Sequence, residues 1–310
     1  MNGLWRRSLR ASLALAPLVV LAGCGQILDP AGPIGADEKK ILVNSLAVML
    51  LIVVPTIIAT LGFAWWFRAS NTKARYLPDF AYSGRVEAVV WSIPILVILF
   101  LGGMTWISSH DLDPGKPLPA KPGVQPLTVQ VVSLDWKWLF IYPDQGIATV
   151  NHLVVPAGTP INFHITSASV MNAFFVPRLG SMIYSMNGMD TQLHLQADKP
   201  GRYYGRSAHF SGDGFPGMQF FVDAVPAAQF GAWVSGTKGK GEALSAQRYW
   251  QLAQQSADNP PMSFGAVQPQ LFNAVLMQKI PPAPGPKLGE PDPSVRPMSV
   301  SPVGSEGDVR

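Results

Sequence analysis

The sequence predicts a membrane protein in two parts: an α-helical hairpin of two transmembrane helices, followed by an all-β sandwich with a short helical C-terminal extension. Three observations lead to this fold class. Only 14% of the 310 residues are charged, against about 25% in a typical soluble protein. Two long stretches, 41–67 and 88–109, contain no charged residue. Beyond residue 126, short apolar runs recur between turn residues at about ten-residue intervals, which is typical of sandwiches and barrels.

Residues 1–23 have the features of a bacterial lipoprotein signal peptide. Three arginines precede a short apolar stretch, Ala11 to Ala22, which is too short to span a bilayer stably. The stretch ends in Leu21-Ala22-Gly23-Cys24, which resembles the lipobox, where the peptide is cut before a lipid-bearing cysteine. The resemblance implies a lipidated Cys24 and a periplasmic segment over 24–40. An ordinary signal peptide with an incidental cysteine is the alternative.

The two uncharged stretches predict transmembrane helices in a hairpin over residues 41–110. The first has 27 residues and would reach about 40 Å as a helix, enough for a hydrocarbon core of roughly 30 Å. Tryptophans stand near the ends of both stretches, where aromatic belts form. The loop 68–85 carries four basic residues against one acidic residue, which places it in the cytoplasm. Both ends of the hairpin are then periplasmic, in a multi-pass protein of the bacterial inner membrane.

Residues 111–125 form a predicted linker rich in proline, and residues 126–225 form the predicted sandwich. From Leu127 the apolar residues begin to alternate with polar ones, as in a half-buried strand. Further strands are predicted at 138–142, 152–155, 161–165, 173–176, 192–196, 202–204 and 218–222.

The last part of the chain has a different pattern. Helices are predicted within 226–280, at 227–235, 242–258 and 268–277. Residues 281–310 contain eight prolines and no aromatic residue, a composition typical of disorder.

Four local sequences resemble subunit II of the haem–copper oxidases, a family with two membrane helices and a cupredoxin domain. The resemblance covers about residues 40–225 and implies that the sandwich is cupredoxin-like. The four motifs are Ser83–Pro94 (SGRVEAVVWSIP), Asp135–Trp138 (DWKW), Ser169–Pro177 (SVMNAFFVP) and Tyr204–Met218 (YGRSAHFSGDGFPGM).

The same resemblance locates the positions of the copper ligands in copper-bearing members. Those members use two bridging cysteines, two histidines, a methionine and a glutamate carbonyl. A serine hydroxyl is hard and normally protonated, so it cannot replace a soft thiolate. The only cysteine, Cys24, stands at the other end of the chain. We therefore expect no metal and no redox centre in this chain. The matching positions hold Ser207 and Ser211 for the cysteines, Asn172 and Phe215 for the histidines, His209 for the glutamate and Met218 for the methionine.

Loss of the copper centre resembles the quinol-oxidising branch of the family, of the cytochrome bo or ba type. The resemblance implies a noncatalytic subunit II of a proton-pumping ubiquinol oxidase. Haem b, haem o or a and one copper would then lie in subunit I. The implied partners are subunit I, smaller membrane subunits, ubiquinol and membrane lipid.

The net charge of +4 does not come from a cluster of lysines and arginines, so no nucleic-acid partner is expected. The alternative is a free-standing membrane lipoprotein, a binding or assembly factor with a copper-free cupredoxin domain.

Glu87 is the candidate for proton uptake. It is the only acidic residue near the start of the second membrane helix, on the predicted cytoplasmic side. A carboxylate placed there can collect protons, and the matching glutamate in the family is associated with a proton channel of subunit I. The alternative is an interface residue that is ion-paired, with Arg85 for example. Trp136 and Trp138 are predicted to be core or interface residues.

Overall fold

The computed structural model describes residues 25–75 and 77–282. Cys24, the signal peptide predicted at 1–23 and most of the tail predicted at 281–310 lie outside the described residues. The chain divides into two compact units. Residues 36–113 form the hairpin unit, and the residues on either side form the sandwich unit.

The hairpin unit contains two long helices. After a short helix α1 (Gly25–Leu28), helix α2 spans Pro33–Trp66 and helix α3 spans Gly84–Asp111. Both extend beyond the predicted apolar stretches into polar flanking residues. Both are long and apolar enough to cross a membrane, and their apolar segments are exposed in the isolated chain. Such surfaces need lipid or a partner protein to cover them.

The sandwich consists of two main sheets. One has the strand order β12-β3-β2-β1-β5-β8 and the other β4-β10-β9-β6-β7. Strand β1 pairs antiparallel with β2 and parallel with β5. The strands of the sandwich are β1 (Leu127–Leu134), β2 (Lys137–Tyr142), β3 (Ile147–Val150), β4 (His152–Pro156), β5 (Pro160–Ser167), β6 (Asn172–Val176), β7 (Gly180–Ser185), β8 (Thr191–Gln196), β9 (Gly201–Ser207) and β10 (Gln219–Val225).

Aromatic side chains fill the core between the two sheets. The rings of Phe174 and Phe220 are stacked with centroids 5.1 Å apart. Trp138 meets Phe174 edge-on at 5.3 Å, so its predicted place in the core is confirmed. Gly205 lies beneath Phe220, because a Cβ atom there would stand 2.2 Å from the phenyl ring. These contacts hold β6, β9 and β10 together, the three strands that border the ligand positions.

The extension differs from the prediction because it mixes helices with strands. The helix predicted over 242–258 is wrong for most of that range: strand β11 is followed by helix α5, and the residues after it bond to the sandwich. Strand β12 pairs with β3 and so joins the first sheet. The remaining elements are α4 (Ala227–Thr237), β11 (Ala243–Leu244), α5 (Ala246–Leu252), β12 (Met262–Phe264), β13 (Ala266–Val267) and α6 (Leu271–Leu276).

The extension covers the outer face of the first sheet. Leu139 and Ile141 of β2 form a second apolar cluster with Tyr249, Leu252 and Phe272 of the extension. Strand β2 is therefore buried along its whole length. This explains why its sequence is a continuous apolar run rather than an alternating one.

A short N-terminal segment is also bound to the sandwich. The amide of Ala31 donates to the carbonyl of Arg178 at 2.7 Å, and the amide of Asp198 donates to the carbonyl of Ala31 at 2.8 Å. Arg178 also forms an ion pair with Asp29. Part of the segment predicted at 24–40 is therefore bound to the sandwich unit. The local sequence does not indicate this contact.

Candidate functional site

The six ligand positions lie together at one end of the second sheet. Asn172 begins β6 and Ser207 ends β9, and these strands are antiparallel neighbours. Residues 208–218, which we call the ligand loop, return the chain to β10. A 3-10 turn at Phe215–Gly217 precedes Met218. The amide of Ser207 donates to the carbonyl of Met218 at 3.0 Å, which closes the loop at its base.

The side chains at two of these positions bond to each other. The Ser207 hydroxyl donates to the Asn172 Oδ1 atom and to the His209 carbonyl, both at 3.2 Å. Ser207 and Asn172 are both buried, with 3% and 1% of their surface exposed. A hydroxyl–amide pair thus occupies two positions that the resemblance matches to a thiolate and an imidazole. This donor set does not fit a dinuclear copper centre, which needs soft bridging thiolates.

The other positions pack as ordinary side chains. Met218 is buried in the aromatic core. Phe215 meets the ring of Phe210 edge-on at 5.6 Å. The buried Ser211 hydroxyl has no hydrogen-bond partner within the described chain. Within residues 25–75 and 77–282, no group of three or more His, Cys, Asp or Glu side chains could hold a metal ion.

Trp136 supports the ligand loop from beneath. Its indole Nε1 atom donates to the carbonyl of Ser211 at 2.9 Å. Gly214 lies directly on the ring, because a Cβ atom there would be 2.4 Å from the indole. Trp136 is itself buried, which confirms its predicted structural place. The indole therefore fixes the course of the loop.

A buried charged pair beside Trp136 was not predicted from the sequence. Asp135 and Lys137 each have only 1% of their surface exposed. The Lys137 Nζ atom donates to the carbonyls of Asp135 and Gln254, both at 2.8 Å, and to the Ser256 hydroxyl at 2.7 Å. The sequence feature that could have indicated this site is the presence of two charged residues, Asp135 and Lys137, next to a strongly apolar strand.

The pair joins the extension to the ligand loop. The Asp135 carboxylate accepts hydrogen bonds from Ser169 and Gln255. The amide of Ser256 donates to the carbonyl of Asp135 at 3.1 Å. A continuous set of contacts thus runs from residues 254–256, through the turn at 135–137, to Trp136 and the ligand loop. We call these contacts the buried network.

Burial changes the acidity of both charged groups in this network. Burial lowers the pKa of Lys137 to about 8, and the nearby Asp135 opposes this change. Burial raises the pKa of Asp135, against the hydrogen bonds from Ser169 and Gln255 and the charge of Lys137. Both shifts favour the neutral forms, as expected for charges removed from water.

The free energy of unfolding is expected to rise between about pH 8 and pH 10, by roughly 1–3 kcal/mol. In this range the folded Lys137 is largely neutral, while the unfolded lysine stays protonated. The unfolded state then binds more protons, so higher pH favours folding. Above pH 10 the buried Tyr142 and Tyr249 reverse the trend, because burial raises their pKa. Denaturant titrations of the purified protein at a series of pH values measure this, and Lys137→Met should abolish the rise. An unchanged rise in that variant would contradict the assignment.

Three exposed side chains form an apolar patch beside the ligand loop. Met182 and Tyr184 alternate on the exposed face of β7, and 71% of the Phe210 surface is exposed at the tip of the loop. The Tyr184 ring meets His209 edge-on at 5.8 Å, which joins the two parts of the patch. Clustered exposed apolar groups of this kind mark sites of protein or membrane contact.

Glu87 lies in the hairpin unit, in the first turn of α3. Its side chain is exposed in the isolated chain. Its amide donates to the carbonyl of Ser83 at 3.0 Å. Among the described residues, Glu87 makes no ion pair with Arg85 or with any other basic group. The structure thus leaves its carboxylate accessible, at a helix N-terminus that favours negative charge.

Comparisons with known proteins identify the family. A family model described as cytochrome c oxidase subunit II, periplasmic domain, matches residues 145–225, and one described as the COX aromatic rich motif matches 238–282. Ubiquinol oxidase subunit 2 of Acetobacter aceti is 52% identical over 263 residues, covering 84% of this chain and 85% of that protein. The chain belongs to the subunit II family of the ubiquinol oxidases.

Two further relatives agree with this assignment. Cytochrome bo(3) ubiquinol oxidase subunit 2 of Pseudomonas aeruginosa is 50% identical over 265 residues, covering 85% of this chain and 80% of that protein. Quinol oxidase subunit 2 of Bacillus anthracis is 36% identical over 245 residues, covering 78% and 84%. Family membership confirms both the resemblance drawn from the four motifs and the predicted fold class. The buried network joins the two matched regions, because it links the ligand loop to residues 254–256.

Proposed function

We propose that this chain is subunit II of a proton-pumping ubiquinol oxidase of the aerobic respiratory chain. In that complex ubiquinol is oxidised, oxygen is reduced to water and protons cross the membrane. The observation that carries the proposal is the hydrogen bond between Ser207 and Asn172, at the positions of two copper ligands, in a chain of this family. A subunit without thiolate ligands at this site suits a complex that takes electrons from a lipid-soluble donor.

The chain's own role in this proposal is structural. Haem b, haem o or a and one copper would lie in subunit I and would supply the redox chemistry there, so the sandwich would carry no electrons. The exposed faces of α2 and α3 pack against subunit I, smaller membrane subunits and lipid, and the apolar patch contacts subunit I. The protein lies in the bacterial inner membrane, with a lipid on Cys24 and the sandwich in the periplasm.

Purification of a tagged chain from solubilised membranes tests this role. A haem protein that copurifies with the chain would support it. A haem-free, monomeric chain would instead support a free-standing membrane lipoprotein that binds or assembles other components. No observation on the described residues favours that second function.

The chain has a second role in the proposal, and Glu87 performs it. This residue collects protons from the cytoplasm for a channel of subunit I. Its exposed carboxylate and its place at the start of α3 support this role. The excess of basic residues in the preceding loop supports a cytoplasmic position for that end of the helix.

Replacing Glu87 with glutamine is expected to slow quinol-driven oxygen uptake several-fold. The amide has a similar shape but does not bind and release protons near neutral pH. Glu87→Asp keeps the carboxylate and should retain most of the activity. The measurement is turnover per haem in the purified complex, with subunit and haem content checked first. Full turnover of an intact Glu87→Gln complex would contradict a role of Glu87 in proton uptake.

A further inference from the structure

The loop between the two membrane helices borders an open cavity of about 920 Å³, which lies wholly within the hairpin unit. This volume is near the upper end of the roughly 300–1,000 Å³ that small-molecule sites occupy. Much of the lining is apolar and comes from Phe63, Trp66 and Phe67 at the end of α2 and from Leu77 and Phe80 in the loop.

The lining also carries positive charge. Arg68 and Arg75 belong to it, and none of the described residues that line the cavity is acidic. Arg68 is held in place by two hydrogen bonds, from Nη1 to the Trp65 carbonyl at 2.7 Å and from Nε to the Ser70 hydroxyl at 3.0 Å. Its guanidinium also lies over the Trp65 ring, 4.8 Å from the centroid. Neither arginine forms an ion pair with another residue of the described chain.

We propose that this cavity binds the headgroup of an anionic glycerophospholipid, with phosphatidylglycerol as the representative. Arginine forks match the geometry of phosphate oxygens and can bind them through paired hydrogen bonds. The apolar residues of the lining then contact the glycerol and the first carbons of the acyl chains. The tryptophans at the end of α2 mark the depth at which headgroups lie.

The apolar residues of the lining distinguish this ligand from a free phosphate ion, which has no apolar group to contact them. The two uncompensated cations favour an anionic lipid over a zwitterionic one, since basic residues near a membrane surface attract negative headgroups. The proposal goes beyond the proposed function. It requires only that α2 and α3 span a membrane.

Lipid retention by the purified protein tests the site. The protein is solubilised with its copurifying partners and washed with detergent that contains phosphatidylcholine. The phosphatidylglycerol that stays bound per chain is then measured by mass spectrometry. The double variant Arg68→Gln/Arg75→Gln is compared with Lys73→Gln/Arg85→Gln. The second variant removes the same charge from the loop and from the first turn of α3, outside the cavity lining. Phe80→Ala tests the apolar residues of the lining without changing the charge.

Wild type and the Lys73/Arg85 variant should retain phosphatidylglycerol equally, while the Arg68/Arg75 variant should retain about tenfold less. Phe80→Ala should also retain less. Equal loss in both double variants would overturn the proposal, since it would indicate general charge attraction. So would the absence of retained lipid in wild type, displacement of the lipid by inorganic phosphate, or loss of a partner subunit from the Arg68/Arg75 variant alone.

Discussion

Replacing Lys137 with alanine is expected to lower the free energy of unfolding of the sandwich unit by about 3–5 kcal/mol. The change removes three hydrogen bonds at once, to the carbonyls of Asp135 and Gln254 and to the hydroxyl of Ser256. It also leaves the buried Asp135 without its charged neighbour, and it opens a cavity. Each buried carbonyl or hydroxyl that loses its donor costs about 1–3 kcal/mol, and the volume left by the shorter side chain adds a cavity cost.

The loss should be seen first where the extension meets the sandwich. Residues 254–256 are bound there through the Lys137 side chain, so protease sensitivity of that segment should rise with the loss of stability. Denaturant unfolding followed by tryptophan fluorescence measures the total effect. The matched control is Lys238→Ala, at an exposed position of the extension, which should change stability by less than about 0.5 kcal/mol. A Lys137→Ala protein as stable as that control would show that the buried network does not hold the extension.

Replacing Phe210 with aspartate is expected to remove most of the haem protein that copurifies with the chain. In the isolated chain this ring is exposed at the tip of the ligand loop, so the substitution should leave the sandwich folded. In the proposed complex the ring is buried against subunit I, and an unpaired carboxylate would be trapped in an apolar contact. Large aromatic anchors of this kind cost about 2 kcal/mol or more when lost from an interface.

The measurement is the ratio of haem to tagged chain after purification, with the circular dichroism spectrum as a check on folding. Gln229→Asp adds the same charge at an exposed position of α4 and should leave the ratio unchanged. A normal ratio in Phe210→Asp would place the contact with subunit I away from the apolar patch.

The sequence predicted the features that depend on local pattern. Uncharged stretches located both membrane helices, and short apolar runs between turn residues located most strands of the sandwich. Strands β3 and β7 were missed, because Ile147–Val150 has only four residues and Gly180–Ser185 contains a glycine and two serines. The assignment of the six ligand positions rests on the resemblance and stays a prediction.

The features that depend on contacts distant in sequence were not predicted. Lys137 meets Gln254 and Ser256 at a separation of 117 and 119 residues, and no local pattern indicates such partners. The helix predicted over 242–258 was wrong for the same reason: backbone groups after Leu252 bond to the turn at 135–137 rather than to a continuing helix. Leu244, Tyr249 and Leu252 of this range pack instead on the outer face of the first sheet.

As a subunit of a quinol oxidase, this chain is expected to carry no redox centre of its own. The most direct test is to purify the complex through a tag on this chain, and to measure its copper-to-haem ratio, its near-infrared spectrum and its oxygen uptake with ubiquinol or reduced cytochrome c. We expect a haem-containing complex that consumes oxygen with ubiquinol but not with cytochrome c. It should contain no more than one copper and show no near-infrared band of a dinuclear copper centre. Two additional coppers with activity toward cytochrome c would contradict the account, because the hydroxyl and amide at Ser207 and Asn172 would then be part of a working metal site.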